Sequence, residues 1–164
     1  MGFFDFLNRK KSPSDPIDRI KQRWLYLSDG LIKDNYSSKI NHYGSRFSTN
    51  GFETWFLGLE QRLGQSLGRR LAHAALEHQE FFLKNSGVKI PSSRDPKNWT
   101  ENTLDWQTRG LGLYSKLEDE DEVRLLVESP ASSAICSGLL TSTWEVATTK
   151  RHRFVWSQSS QDGL

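Results

Sequence analysis

No proline falls between Gly51 and Gly87, and across that stretch apolar residues keep helical time. Phe52, Phe56, Leu59, Leu63, Leu67, Leu71, Ala74 and His78 recur on one face, and Phe81 and Phe82 extend it. The pattern predicts a long helix over 51–85, ended by Asn85 and Gly87. A chain containing such an element has to fold around it, because the rest must cover its apolar face. Gly64, Gly68, Ala72 and Ala75 add a second stripe, made of small residues. Glycine inside a helix costs about 1 kcal/mol relative to alanine, so two glycines four residues apart imply that something approaches this backbone closely. A neighbouring helix or sheet is the plain occupant, and a ligand lying against the glycines is the sharper one. Glu60, Arg69 and Arg70 flank the stripe and exclude a membrane-embedded glycine pair.

The remaining elements fall on either side. Asp15 and Pro16 form a helix start, and Ile17, Ile20, Trp24, Leu27 and Leu31 continue at helical spacing, predicting a helix over 16–34 with Gly30 weakening its last turn. Residues 35–50 read as a loop with room for one short strand. After the polar connection 87–101 the period changes, and a β-hairpin is expected with strands at 103–116 and 122–129 around the acidic run Glu118–Glu122. Ser129-Pro130 opens a helix over 131–147, small on one face at Ala131, Ala134, Gly138 and Ser142, which makes it the natural neighbour of the Gly64–Gly68 stripe or of a second copy. Alternation at Arg153, Val155 and Ser157 predicts a final strand at 152–158. The expected architecture is α+β: a small antiparallel sheet packed against a long central helix and two further helices.

A length of 164 residues favours one domain, expected over 16–158, with an amphipathic tip and linker at 1–15 and a polar tail at 159–164. Apolar residues make up only 35% of the chain, so nine Phe, six Trp and four Tyr have to anchor the core. A formal charge of +2 does not point to nucleic acid, whose capture needs several clustered cations. Cys136 is the single cysteine, which excludes an internal disulfide and a multi-cysteine zinc site. Neither a membrane-spanning run nor a secretory signal is evident, so a cytoplasmic location is the default. The tip sets Phe3, Phe4, Phe6 and Leu7 beside Arg9, Lys10 and Lys11, a pattern suited to a membrane interface or to folding back on the domain.

Catalytic chemistry finds no foothold. Cys136 lies more than a turn inside an apolar helix, where a thiol is inert. No serine sits in a Gly-x-Ser-x-Gly elbow. His73 and His78 are five residues apart, on different helix faces, and His42 and His152 complete no ligand set. Gly64–Gly68 lies within a helical pattern and lacks the Gly-Lys-Ser/Thr of a phosphate loop, and Arg109-Gly110-Leu111-Gly112 lies in or beside a strand. Lys150, Arg151, His152 and Arg153, close to Trp144 and Trp156, suit a solvated strand edge better than a nucleic-acid surface.

The element order over about 51–158 resembles the 4-vinyl-reductase-like ligand-binding domains and the related Bet-type subunits of the TRAPP vesicle-tethering complex. Leu63-Gly64-Gln65-Ser66-Leu67-Gly68-Arg69-Arg70-Leu71-Ala72 looks like their glycine-containing central helix. Val127-Glu128-Ser129-Pro130 followed by Cys136-Ser137-Gly138-Leu139-Leu140 is similar to their strand-then-helix passage. The resemblance implies an α/β fold with an apolar pocket or groove between helices and sheet, and no catalysis by itself. The chain departs from the pattern after the strand expected around Trp156, where many ligand-binding members continue to a cysteine-bearing strand. Together these readings give a non-enzymatic binding module for a small apolar ligand or a protein partner, open to homodimer formation. The alternative is a peripheral membrane scaffold held by its N-terminal segment. Gly64, Gly68, Ala72, Gly138, Trp106 and Trp144 are the expected ligand or partner contacts, and Phe3, Phe4, Phe6, Leu7, Lys10 and Lys11 the expected membrane contacts, with no cofactor or metal.

Overall fold

The computed structural model describes residues 16–35, 43–117 and 123–157. In chain order they form α1 (Pro16–Arg23), β1 (Trp24–Tyr26), β2 (Ile32–Asp34), β3 (Tyr43–Gly44), α2 (Thr49–Leu63) and α3 (Gly68–Ser86). A 3-10 turn (Pro96–Asn98), α4 (Thr100–Arg109), β4 (Leu113–Leu117), β5 (Arg124–Glu128) and α5 (Ser133–Thr148) follow. The class is α+β, with two separate antiparallel sheets, β1-β2-β3 and β4-β5, where the sequence suggests one.

The packing starts where α3 crosses α5. A Cβ placed on Gly138 would collide with the carbonyl of Ala72 and come within 3.0 Å of the Leu76 amide nitrogen. Only glycine permits this approach, and Ala72 is fully buried beneath it. The face of α3 turned inward is therefore Ala72, Ala75, Gln79, Phe82 and Leu83. Ala74 and His78, read from the period as core positions, are exposed. Short side chains win the contact because they let two backbones close, and Phe82 fills the space farther along. Helix α5 is covered nearly all round, as a central helix must be. Its buried hydroxyls stay satisfied by turning back on their own helix: Thr141 donates to Ser137 O at 2.7 Å and Thr143 to Leu139 O at 3.0 Å. Since α3 covers its small-residue face, that face is not free for a second copy.

Aromatic rings finish the core. Tyr114 of β4 sits edge-on to Trp106 with centroids 4.9 Å apart and leans on Trp99 at 6.1 Å, while Trp99 meets Trp144 of α5 at 5.8 Å. Ala75, Cys136, Leu139 and Leu140 close around Trp106.

Four sequence expectations are corrected. The helix expected over 51–85 is two helices, because Gly64 takes a left-handed conformation (φ 63°) and caps α2, its N–H directed to Gln61 O and Glu60 O. The Glu60 carboxylate then accepts the Leu67 N–H at 2.6 Å and the Ser66 hydroxyl at 3.2 Å at the start of α3. The helix expected over 16–34 stops at Arg23, and Trp24–Tyr26 turns back on Ile32–Asp34 as a hairpin. Its turn holds Gly30 at φ 85°, and Asp29 accepts the Leu31 N–H at 3.0 Å. Residues 103–109, expected as part of a strand, lie in α4, which is ended by Gly110 at φ 70°. Only Leu113–Leu117 remains as strand, pairing with β5 from Leu113↔Glu128 to Leu117↔Arg124.

Residues 152–157 form no strand. They run instead as an extended strap beside α3. Arg151 reaches Glu80, the Phe154 ring meets His73 at 5.7 Å, and Trp156 lies 3.6 Å from the position of a Cβ on Gly68. The short strand allowed for in 35–50 is β3, while the tip and linker, the acidic run at 118–122 and the tail lie outside the described residues.

Two glycines separate crowding from intrinsic propensity. Gly138→Ala is expected to destabilise the fold by about 1–3 kcal/mol or more through overpacking. Gly58→Ala, whose new Cβ meets nothing within 4 Å, is expected to stabilise it by up to about 1 kcal/mol. Urea unfolding of both variants checks the pair.

Candidate functional site

Charged side chains are seldom fully buried unless paired, and one such paired set lies inside this fold. Arg23, at the end of α1, is fully buried. It grips Asp34 of β2 with two hydrogen bonds, Nε to Oδ1 at 3.1 Å and Nη2 to Oδ2 at 2.7 Å. Its Nη1 pairs with Asp105 Oδ1 at 2.7 Å and donates to Thr108 Oγ1 at 2.6 Å. Asp105 Oδ2 in turn pairs with Arg109 Nη2 at 2.6 Å, and that nitrogen donates to Gln79 Oε1 at 3.0 Å. The guanidinium of Arg109 also lies over the Phe82 ring at 5.1 Å. Charge alternates along this chain, Asp34, Arg23, Asp105, Arg109, so the ionised groups cancel. Burial works to lower the pKa of Arg23, but the Asp34 hydrogen bond and the charge of Asp105 outweigh it and raise it. For Arg109 burial dominates, helped by repulsion from Arg23, and the pKa falls despite Asp105. Arginine nevertheless remains charged.

This arrangement joins elements. Both Asp105 oxygens face cations, and both Asp34 oxygens accept from Arg23, so neither carboxylate is placed to move a proton to a guest molecule. The ion chain fastens α1 and β2 to α4 and, through Gln79, to α3. Trp24 assists, its indole N–H donating to Thr108 O at 2.7 Å.

The six expected contact residues do not share a site. Ala72 and Gly138 touch each other, Trp106 and Trp144 are buried among the core rings, Gly64 caps α2, and Gly68 opens α3 beside Trp156. The junction that a ligand would need at Ala72 and Gly138 is filled by the two helices themselves. Cys136 is buried, as expected. Its thiol donates to Leu111 O at 3.3 Å, and burial pushes its pKa up, which disfavours the reactive thiolate. Within the basic run, Arg151 is committed to Glu80 and Glu145, and the His152 N–H to Glu145 Oε1 at 2.8 Å. Among the described residues no cluster of three or more His, Cys, Asp or Glu side chains could hold a metal ion, and no helix is long and apolar enough to cross a membrane. Phe3, Phe4, Phe6, Leu7, Lys10 and Lys11 lie outside the described residues. A groove of about 320 Å³ between the last turns of α3 and α5 is open to solvent, lined by Leu83, Val88, Ile90 and Val146, with Arg151 spanning Glu80 and Glu145 at its edge.

The surface that stands out is α2. Ser48 caps it by accepting the Gly51 N–H at 3.0 Å, and Gly64 ends it, so the helix is well bounded. Yet none of its residues is buried. Phe52, Phe56, Leu59 and Leu63 form one stripe, with Trp55 along its edge. Phe52 stacks on Phe56 at 5.9 Å, and Trp55 is 61% exposed. The same imbalance runs through residues 17–63, which supply ten of the seventeen large apolar side chains exposed on the described structure, from Ile17 to Leu63. Among the described residues of that span the buried ones are Arg23, Ile32 and Asp34, two of them charged. The amphipathic period located these apolar residues but assigned them to the core. The glycine stop at Gly64 is the signal that separates them from α3. The chain matches no known protein-family model, no curated protein and no solved structure.

Removing one link of the ion chain strands its neighbours. Asp105→Asn leaves Arg23 and Arg109 buried with one carboxylate fewer, and is expected to cost about 3–5 kcal/mol of unfolding free energy, read by denaturant titration. Glu80 gives a pH signature. Hydrogen bonds from Lys84 and Arg151 hold its carboxyl below the usual glutamate value. A depressed folded-state pKa contributes stability that is complete above the unfolded value, about 4.3, and is lost as pH falls through the folded value. Thermal melts on acidification below pH about 4.3 are expected to show a shallower decline for Glu80→Gln than for the unaltered chain.

Proposed function

We propose that this protein is a non-enzymatic binding module whose partner is another protein surface, engaged through α2. The observation that carries the reading is a capped, fifteen-residue helix on which Trp55, Leu57 and Leu63 are exposed, Phe52, Phe56 and Leu59 are half-buried and no residue is fully buried. A helix of this length is marginal on propensity alone and usually owes its stability to covering an apolar face. Contiguous exposed apolar surface of this kind marks interaction sites, and tryptophan and phenylalanine supply large contact areas at small conformational cost. A protein partner is favoured over a small apolar ligand because the Ala72–Gly138 junction is closed by the chain itself. Catalysis gains no support, since the buried carboxylates are locked to arginines.

Site-specific photo-crosslinking in cells tests the reading. A benzoyl-phenylalanine at position 55 is expected to give a discrete adduct of defined mass in several-fold higher yield than the same group at Lys97, an exposed position on the 3-10 turn. Equal yields at the two positions would sink the proposal.

A further inference from the structure

The groove between the last turns of α3 and α5 shares no residue with α2 and has the parts of a small-molecule site. Its volume of about 320 Å³ falls at the lower end of the range such sites occupy. Leu83 of α3, Val146 of α5 and Val88 and Ile90 of the connection after α3 make its lining largely apolar. Ser142 lines it from within the fold, only 2% exposed. Its neighbours Thr141 and Thr143 donate to the carbonyls one turn back, at Ser137 and Leu139. The Ser142 hydroxyl makes no such bond and has no hydrogen-bond partner among the described residues. Whatever fills the groove meets this hydroxyl, and a buried polar group of that kind calls for a partner.

Charge is arranged where α5 ends. Thr149 closes the helix at φ 57°, and Lys150 and Arg151 continue along the groove. Arg151 is shared between Glu80 and Glu145, and Lys84 pairs with Glu80. Three cations therefore stand against two carboxylates, and Lys150 is the cation with no partner among the described residues.

We propose that this groove binds an elongated apolar carboxylate that carries a hydrogen-bonding group at its far end. Ser142 and Val146 are four residues apart on α5, about 6 Å along its axis, and Lys150 follows the cap. The carboxylate meets Lys150, the apolar body covers Val146 and Leu83, and the far group pairs with the Ser142 hydroxyl. The excess of cations disfavours a positively charged ligand, and a wholly apolar one would leave both Ser142 and Lys150 unused. Since the groove and α2 have no residue in common, either reading can fail alone.

NMR titration of the full, ¹⁵N-labelled chain tests the proposal with three probes of equal length: 8-hydroxyoctanoate, octanoate and octane-1,8-diol, each below any micelle-forming concentration. Saturable shifts of the Ser142, Val146 and Lys150 amides are expected, with 8-hydroxyoctanoate binding several-fold more tightly than the other two. Ser142→Ala is expected to weaken 8-hydroxyoctanoate about fivefold, the effect of one hydrogen bond, and to leave octanoate unchanged. Lys150→Gln is expected to weaken both carboxylates a few-fold and not the diol. Val146→Glu, at a position 41% exposed and so tolerant of charge, is expected to abolish binding of all three. Unchanged spectra away from the groove verify that each variant keeps its fold. A merely structural role for Ser142 or Lys150 would not depend on which probe is bound. No saturable shift overturns the proposal, as do equal affinities for the three probes or shifts confined to Phe52 and Trp55 on α2. A Ser142→Ala or Lys150→Gln variant that binds all three as the unaltered chain does also overturns it.

Discussion

The crossing of Ala72 and Gly138 is the contact on which the remaining structure depends. Two backbones meet there with no side chain between them, which fixes both the separation and the rotation of α3 against α5. Once that pair is set, Cys136, Leu139 and Leu140 of α5 face Trp106, and Trp144 faces Trp99. The β4–β5 hairpin then has one place to lay Tyr114, against both tryptophans. A chain poor in aliphatic residues thus forms its core by combining one very close helix contact with a few large rings, and the glycine is what lets the rings reach one another.

Attachment of the first third of the described chain is of another kind. Among the described residues of 17–63 one apolar side chain, Ile32, is buried, and Arg23 and Trp24 tie this part to α4. A buried ion chain is a poor source of net stability, because desolvation offsets most of the attraction, but it is strict about geometry. Arg23 accepts one placement of Asp34 and one of Asp105. The hairpin β1–β2 is therefore positioned accurately while its outer residues, Leu25, Tyr26 and Leu31, remain in contact with water. Rigid placement of an apolar surface that the described chain does not cover is what a docking surface requires.

How much of this was legible depended on distance along the chain. Helix α5 was visible almost residue for residue, because Gly138 and its small neighbours carry the reason for their own burial. Strand β5 was equally plain. The break at Gly64 was hidden because the turn 64–67 leaves the apolar period unbroken, so Leu63 and Leu67 read as one face when Leu63 ends α2 and Leu67 caps α3. Likewise Trp24, Leu27 and Leu31 fit a helix, and only Asp29-Gly30 marks the turn. The ion chain was out of reach altogether, since Arg23 finds Asp105 82 positions away. A hydrophobic period states that a face must be covered and not what covers it. That is why the stripe on α2 was assigned to the core, and why the six expected contact residues turned out, in part, to be the core itself.

The strap formed by residues 151–157 bears on the order in which the molecule can be completed. It clips to Glu80 and Glu145 through Arg151 and lays Phe154 and Trp156 along α3. On a ribosome α3 emerges well before α5 and the strap, so its inner face must wait for the one and its outer face for the other. Through that interval the aromatic helix ahead of it is already fully made, so the growing chain carries its exposed apolar groups before its interior has closed.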